Sequence, residues 1–556
     1  MNENSQLPSD QPHRDRITTV PGDSSGLRVN LFVEAGAGAG KTTSLVKRIV
    51  ALVGSGIDIT TIAAITFTEK AAAELRHRLR IELEREATTR TGSLDGLVYD
   101  QALDRLDHAP IGTLHAFARR ILNEFPIEAG LPPGFSVLDE LESNLAFDER
   151  WEELLDSLLA EANPSGGALA GGASFVQLCK FRNFGLNKAL RRVANDFHAN
   201  WDLVEERVSL DAPPLWEFTD ADIDELMVHV GQLQSTNCPP ADKQNDNLAK
   251  LVSAAHELRT SRSLSARLAQ LDVIAKHANS VGRGGTKANW KKFCSEEDLA
   301  NLRADADRLA SRVAATTDAA HEYRKALVGA ILGGWVLQSA VGRAADGTLE
   351  FHDLLVLARR LLAHNADVRA QLHARYQRVL LDEFQDTDPI QLAIAVRLTS
   401  APDDPAHDLN WRDLKPLPGR LFIVGDPKQS IYRFRRADIA QYLSASQQLG
   451  SEDARLTANF RSSRAVIDWV NHVFAEAITF VPDAQPGYQP LDVARQGRVD
   501  HGKVTILGGT AHDDIVGRGG ANVIRQREAE EVVAAVQTAL SEGWEVGCRD
   551  EHGLPQ

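Results

Sequence analysis

Phe32-Val-Glu-Ala-Gly-Ala-Gly-Ala-Gly-Lys-Thr-Thr43 is the stretch on which the reading of this chain turns. An apolar run enters a glycine-rich turn, and Leu45, Val46, Ile49 and Val50 then recur at helical spacing, so the order is strand, tight turn, helix. The phosphate-loop pattern asks for a small residue, four spacers and then Gly-Lys-Ser/Thr; Ala35 through Thr42 supply it, with Ala rather than Gly in the first place. Gly36, Gly38 and Gly40 let the backbone turn sharply, so the N–H groups from Ala35 through Ala37 and Ala39 to Thr43 form a nest at the start of a helix, where a polyphosphate is held by aligned dipoles. Lys41 then reaches the β- and γ-phosphates. Thr42 offers its hydroxyl to Mg2+, a cation that takes oxygen ligands. A Gly/Ala-rich turn that merely precedes a lysine is the plain alternative, and it leaves the flanking strand and helix unexplained.

Bulk properties permit a multi-domain machine. A chain of 556 residues is long enough for about three or four domains. Its 43% apolar content is that of a globular protein. No apolar run approaches the length of a membrane span, and Met1 to Arg16 lacks the hydrophobic core of a signal peptide, so the expectation is a cytoplasmic protein with no membrane partner. Cys179, Cys238, Cys294 and Cys548 are far apart and form no CxxC pair, which speaks against a zinc ribbon and a disulfide framework. The formal charge of −16 excludes a protein that coats nucleic acid with its whole surface, but leaves room for a local groove of Lys and Arg.

Outward from the loop, residues 1–27 read as a flexible N-terminal arm with a turn at Pro21 to Gly26. Ile62-Ala-Ala-Ile-Thr66 is a short apolar run of the kind buried in parallel sheets, and it ends in Thr66-Phe-Thr-Glu-Lys-Ala-Ala-Ala-Glu-Leu-Arg76, where Thr68 caps a helix. Ile111-Gly-Thr-Leu-His-Ala-Phe117 is a second strand-to-helix junction. Ligands of open parallel sheets gather at that edge, though either junction taken singly is also just a well-capped helix. From 131 to 376 long helical patterns take over. Two stretches there mix cations with aromatics in the manner of a single-strand track: Lys180 to Lys188 with Arg191 and Arg192, and Lys276 to Lys292 with Arg283, Lys287, Trp290 and Lys291. Solvated helical faces are the better explanation of each of them considered separately.

The strand signal resumes at Arg378-Val-Leu-Leu-Asp-Glu-Phe-Gln-Asp-Thr-Asp388. A buried strand that delivers Asp382 to a metal and Glu383 to an attacking water is what nucleotide hydrolysis needs. Leu421-Phe-Ile-Val-Gly-Asp-Pro-Lys-Gln-Ser-Ile-Tyr-Arg-Phe-Arg-Arg436 follows, placing Gln429 where a γ-phosphate is sensed, with Tyr432 and Phe434 suited to stacking on bases and Arg435 to holding a phosphate. In Leu456-Thr-Ala-Asn-Phe-Arg-Ser-Ser463, Phe460 and Arg461 pair a stacking ring with a charge-neutralising arginine, though an ordinary helix start is the better reading of this pair alone.

Taken together, AGAGAGKTT, TFTEKAAAELR, GTLHAF, LLDEFQDTD, VGDPKQSIYRFRRADI and LTANFRSS, spanning Ala35 to Ser463, resemble the UvrD/Rep group of superfamily 1 DNA helicases, and within it the helicase half of the RecB or AddA type. The resemblance implies a P-loop α/β protein. A RecA-like doubly wound parallel sheet (1A, residues 28–130 and 377–450) would carry a large helical insertion (1B, 131–376) and the beginning of a second RecA-like domain (2A, 451–556). It implies an ATP-dependent translocase running 3′ to 5′ on single-stranded DNA in repair or recombination, with ATP and Mg2+ as cofactors and a possible partner subunit of a helicase-nuclease complex. Lys41, Thr42, Asp382, Glu383, Gln429 and Arg461 would belong to the nucleotide site, Thr42 and Asp382 to the metal, and Phe460 to adenine. Thr66, Phe67, His115, Tyr432, Phe434 and Arg435 would touch DNA. Relatives often read adenine with an upstream glutamine, for which Gln11 stands rather far from Lys41. The family's motifs V and VI have no counterpart before Gln556, so the expectation is a C-terminally truncated chain that hydrolyses ATP poorly alone; a fragment that binds nucleotide and DNA without processive unwinding is the alternative.

Overall fold

The structure, a computed structural model, describes residues 7–18, 26–91, 94–161, 172–180, 185–240, 242–433, 436–494, 504–507 and 520–544. The chain divides into two compact units, Met1–Ala129 with Leu355–Gln556, and Gly130–Leu354.

The first unit opens with helix α1 (Gln11–Thr18), β1 (Leu31–Ala35), α2 (Lys41–Gly54), β2 (Ile62–Thr66), α3 (Glu69–Thr89), α4 (Leu94–Arg105), β3 (Ile111–Thr113) and α5 (Leu114–Glu124). The helical unit contributes only the short parallel pair β4 (Ser136–Val137) and β5 (Thr348–Leu349). The first unit then resumes with β6 (Arg378–Leu381), β7 (Leu421–Gly425), β8 (Glu452–Leu456), β9 (Ala458–Asn459) and β10 (Asp492–Val493). Six of these strands form one sheet in the order β3-β2-β6-β7-β1-β8, every pairing parallel. β2 and β7 are buried at every position, because helices cover both faces of such a sheet and a strand within it has no wet side. On one face Leu31, Val33 and Ala35 pack with Leu45, Ile49 and Leu52 of α2. On the other, Phe32 meets the edges of Phe384 and Tyr442, ring centroids 5.8 and 5.0 Å away.

Three expectations change. The N-terminal segment, read as a flexible arm, carries α1. Ile17 enters the core of the first unit, and Asp10 accepts the Thr457 and Ala458 N–H groups at 2.9 and 3.0 Å, so tertiary bonds hold a helix too short and too polar to stand alone. The turn expected at Pro21 to Gly26 falls largely on residues outside those described. Secondly, β8 lies past the expected 450 boundary and completes the first sheet beside β1, with Leu31 opposite Glu452. It is an edge strand with only Ala454 and Leu456 buried, so its sequence lacks the apolar run that marks a central strand. Thirdly, the helical unit closes at Leu354, and the helix Ala366–Arg375 belongs with the sheet.

The helical unit is built around a 51-residue helix, Glu296–Asp346, started by a capping box between Ser295 and Asp298 and stopped by Gly347 in the left-handed region at φ 69°. Against the reading that no apolar run approaches a span, this helix holds a window apolar and long enough to cross a membrane by length and composition alone. Leu327, Leu332 and Val336 along it are nonetheless buried, the first two in the core of the helical unit with Trp151, Phe175 and Leu271. Near its end Arg343 grips Asp353 through two bonds of 2.7 and 2.8 Å, and Asp353 also accepts the Trp201 indole N–H at 2.9 Å. Burial pushes the Asp353 carboxyl up, but the Arg343 guanidinium and the Glu350 and Trp201 N–H donors outweigh it and leave the group below the usual carboxylate range. Trp290, read as an interleaved stacking ring, is fully buried in this core, so the Lys276 to Lys292 stretch cannot present it to a base.

Candidate nucleotide and nucleic-acid site

The loop between β1 and α2 sits at the carboxyl edge of the sheet. Gly38 and Gly40 have φ of 69° and 89°, a region closed to most residues with a Cβ. At Gly38 there is no room for a Cβ either, since it would lie 2.6 Å from Asn459 Nδ2 and 2.9 Å from Arg461 Cβ. At Gly36 it would run into the side chain of Leu491. The loop is thus clasped from outside by the segment that follows β8. Asn459 Nδ2 donates to the Ala37 carbonyl at 2.6 Å, Phe460 N–H donates to the Gly38 carbonyl at 3.0 Å, and Asn459 Oδ1 accepts the Arg461 and Ser462 N–H groups at 2.9 and 2.8 Å. Phe460 and Arg461 are therefore brought to the loop.

Helix α1 reaches the same place. Arg14 donates to the Ala39 carbonyl at 2.9 Å, is held by Asp10 through bonds of 2.7 and 2.8 Å, and lays its guanidinium 4.9 Å from the centre of the half-exposed Phe460 ring. Gln11, the glutamine considered for adenine, instead donates to Asp15 on its own helix at 2.7 Å.

From the next strands come the acids. β6 ends at Asp382, whose N–H donates to the Ile65 carbonyl at 2.9 Å and whose Oδ1 accepts the Glu383 N–H at 2.9 Å. Glu383 occupies the left-handed region at φ 49°, a strained conformation for a residue with a side chain. That turn swings its carboxylate onto the Lys41 ammonium, and the two form an ion pair. Asp382 is pushed up to about 6 by burial and by the charge of Glu383, and Asp386 likewise to about 6 by the same two causes. A buried carboxylate short of positive charge, with the hydroxyl oxygen of Thr42 at the head of α2, is a donor set that suits a divalent cation. Among the described residues no group of three or more His, Cys, Asp or Glu is arranged to hold a metal ion.

Gln429 follows β7, and its amide donates to Asp426 Oδ2 at 2.7 Å; Lys428 pairs with Asp426 at 3.1 Å and with Glu34 at 3.4 Å. Further along the edge, Phe67 and Tyr432 come together with ring centroids 5.0 Å apart and planes tilted by 34°. Thr66 is buried and donates to the Thr68 carbonyl at 3.1 Å, while Thr113 Oγ1 donates to Glu69 Oε1 at 2.7 Å and ties the two strand-to-helix junctions together, with His115 in the first turn of α5. Phe434 and Arg435 lie outside the described residues. Reading residue types one at a time missed Asn459, Asp10, Arg14 and Gln385, of which only Asp10 had a local signal, an acidic residue two places before Pro12.

Residues 24–450 match the family model of the UvrD/REP helicase N-terminal domain. The chain belongs to the UvrD/REP helicase family. It is similar to an ATP-dependent helicase/nuclease subunit of Levilactobacillus brevis, 29% identical over 80% of this chain and 37% of that protein. The same-named subunit of Moorella thermoacetica is 28% identical over 81% of this chain and 34% of the relative, and that of Lacticaseibacillus casei 26% identical over 85% and 40%. The chain therefore spans little more than a third of the length of these relatives. As a UvrD/REP helicase domain it places its RecA-like sheet, its phosphate loop and its paired acids in one unit, and the family implies binding of ATP and DNA.

Proposed function

We propose that this chain hydrolyses ATP and couples hydrolysis to 3′ to 5′ movement along single-stranded DNA, as the motor portion of a cytoplasmic repair or recombination enzyme that works with a partner subunit. The observation that carries the reading is the Lys41–Glu383 ion pair at the mouth of the glycine loop, flanked by buried Asp382 and by the Gln429 turn. The candidate base and the phosphate-binding lysine form an ion pair. Arrival of the β- and γ-phosphates draws Lys41 onto the loop's anion site and leaves Glu383 free to accept a proton from an in-line water. Asp382 and Thr42 would hold Mg2+, which supplies charge neutralisation at the phosphates. Gln429 is placed to orient the water, Arg461 to meet developing negative charge, and Phe460 to stack on the base. The Phe67 and Tyr432 rings, with His115 on the same sheet edge, would form the floor on which bases of a single strand lie, and Thr66, Phe434 and Arg435 are assigned to that track by their motifs alone.

Radiolabelled ATP hydrolysis by the 556-residue chain, with and without single-stranded DNA, tests this. DNA-stimulated turnover that Lys41→Ala abolishes is expected. Turnover unchanged in Lys41→Ala, or stimulation by RNA equal to that by DNA, would overturn the assignment.

A further inference from the structure

Gln385 lies two residues past the candidate base and is 3% exposed. Its amide spans the ends of two strands. Oε1 accepts the Asp426 N–H at 2.8 Å, and because a backbone N–H is a donor only, this bond fixes which way the amide points. Nε2 is thereby left to donate, 2.7 Å to Glu383 Oε2 and 3.3 Å to Asp386 Oδ2, while the Gln385 carbonyl accepts Ser430 Oγ at 3.0 Å. The seat has no slack, since a Cβ on Gly425 would come within 2.8 Å of Gln385 Oε1 and 3.2 Å of its backbone nitrogen. Beyond it, Asp426 Oδ2 takes the Gln429 amide at 2.7 Å. Glu383 and Gln429, the two groups assigned to the water, are therefore joined by a continuous chain of hydrogen bonds through Gln385 and Asp426.

Among the described residues the side chains that bond the Glu383 carboxylate are Lys41 and Gln385. Once Lys41 turns to the phosphates, Gln385 is the one of these two that still bonds the carboxylate, which stands on a backbone in the left-handed region. We propose that Gln385 is a positioning residue that keeps the freed Glu383 carboxylate aimed at the water and in register with Gln429. The proposal rests on the hydrolytic reading above and deepens it.

Gln385→Glu separates the two halves of the amide, because a carboxylate still accepts the Asp426 N–H but no longer donates to Glu383. In the 556-residue chain, single-turnover hydrolysis is expected to fall at least about tenfold, the scale of a misplaced general base, with affinity for a fluorescent ATP analogue unchanged; the melting temperature falls as well, because the new carboxyl is buried against Glu383 and Asp386. Gln385→Met, which loses both bonds, falls at least as far, and in a Gln429→Ala background Gln385→Glu costs less than in the parent, since the two act through one network. Parental turnover in Gln385→Glu, or loss of rate and analogue affinity in equal proportion, overturns the proposal. A parent that fails to bind the analogue, or a Lys41→Ala variant that binds it equally well, sinks the hydrolytic reading itself and not merely this part of it.

Discussion

Asn459→Ala tests whether the clasp on the phosphate loop has the weight that its geometry suggests. Asn459 is 2% exposed and makes three side-chain hydrogen bonds, one to the loop at the Ala37 carbonyl and two that turn the backbone at Arg461 and Ser462. Each such bond contributes about 1 kcal/mol net, so losing three in a buried setting should destabilise the sheet unit by about 2–4 kcal/mol, and the upper end applies if water cannot reach the freed N–H groups. Function should suffer as well. Gly38 is pressed directly against this amide, and without it the loop loses its outer wall and Arg461 its fixed entry angle. Asn459→Asp separates the two effects. It retains both acceptor bonds but sets a carboxylate against the Ala37 carbonyl, so nucleotide affinity should fall by more than stability does. Urea unfolding followed by tryptophan fluorescence gives the first quantity and titration with a fluorescent ATP analogue the second. A stability change in Asn459→Ala below about 0.5 kcal/mol, the scatter of an ordinary surface substitution, together with unaltered affinity would refute the reasoning.

Asp382→Asn should stabilise the nucleotide-free protein while removing metal-dependent turnover. The carboxyl is pushed up to about 6 from 3.8, so above that pH its ionised form costs the fold on the order of 3 kcal/mol, a cost that eases as the pH falls through 6; denaturation at pH 7.5 and pH 5.5 should show the variant's advantage shrinking. In the helical unit, Asp353→Ala leaves Arg343 buried without its bidentate partner and should cost about 3–5 kcal/mol, measured as loss of the corresponding calorimetric transition. The folded-state pKa of Asp353 is depressed, so its stabilisation is full above the ordinary carboxylate range of about 4 and is lost as the pH drops below it. Acid unfolding of the parent but not of Asp353→Ala should therefore steepen in that window. Phe67→Ala should weaken single-stranded DNA binding by about 1–3 kcal/mol in fluorescence anisotropy, with ATP-analogue affinity unchanged.

What could be read from the sequence and what could not divide along a physical line. β1, β2, β6 and β7 announce themselves because a strand covered on both faces is predominantly apolar, and the candidate residues at their carboxyl ends are contiguous with them: Lys41 and Thr42 after β1, Asp382 and Glu383 after β6, Gln429 after β7. Local order was enough there. β8 escaped because the outer edge of a sheet needs only alternate burial, and its polar positions stay exposed, with Arg16 pairing with Glu452 and donating to the Asp453 carbonyl at 3.0 Å. Helix α1 escaped for a related reason, its sole core side chain being Ile17 and its anchor a carboxylate bonded to residues more than 440 positions away. Trp290 misled in the opposite sense, since a ring among lysines looks like a nucleic-acid contact until the fold shows the lysines outside and the ring inside. The residues that sequence missed at the site, Asn459, Asp10, Arg14 and Gln385, share one property: each bonds a backbone group on a distant segment. Their identity follows from which carbonyl or carboxylate they meet across the fold, a fact that no spacing along the chain encodes. A helicase motif therefore reads as a roster of reacting groups, and it is the tertiary bonds from α1, β7 and β9 that turn the roster into a site.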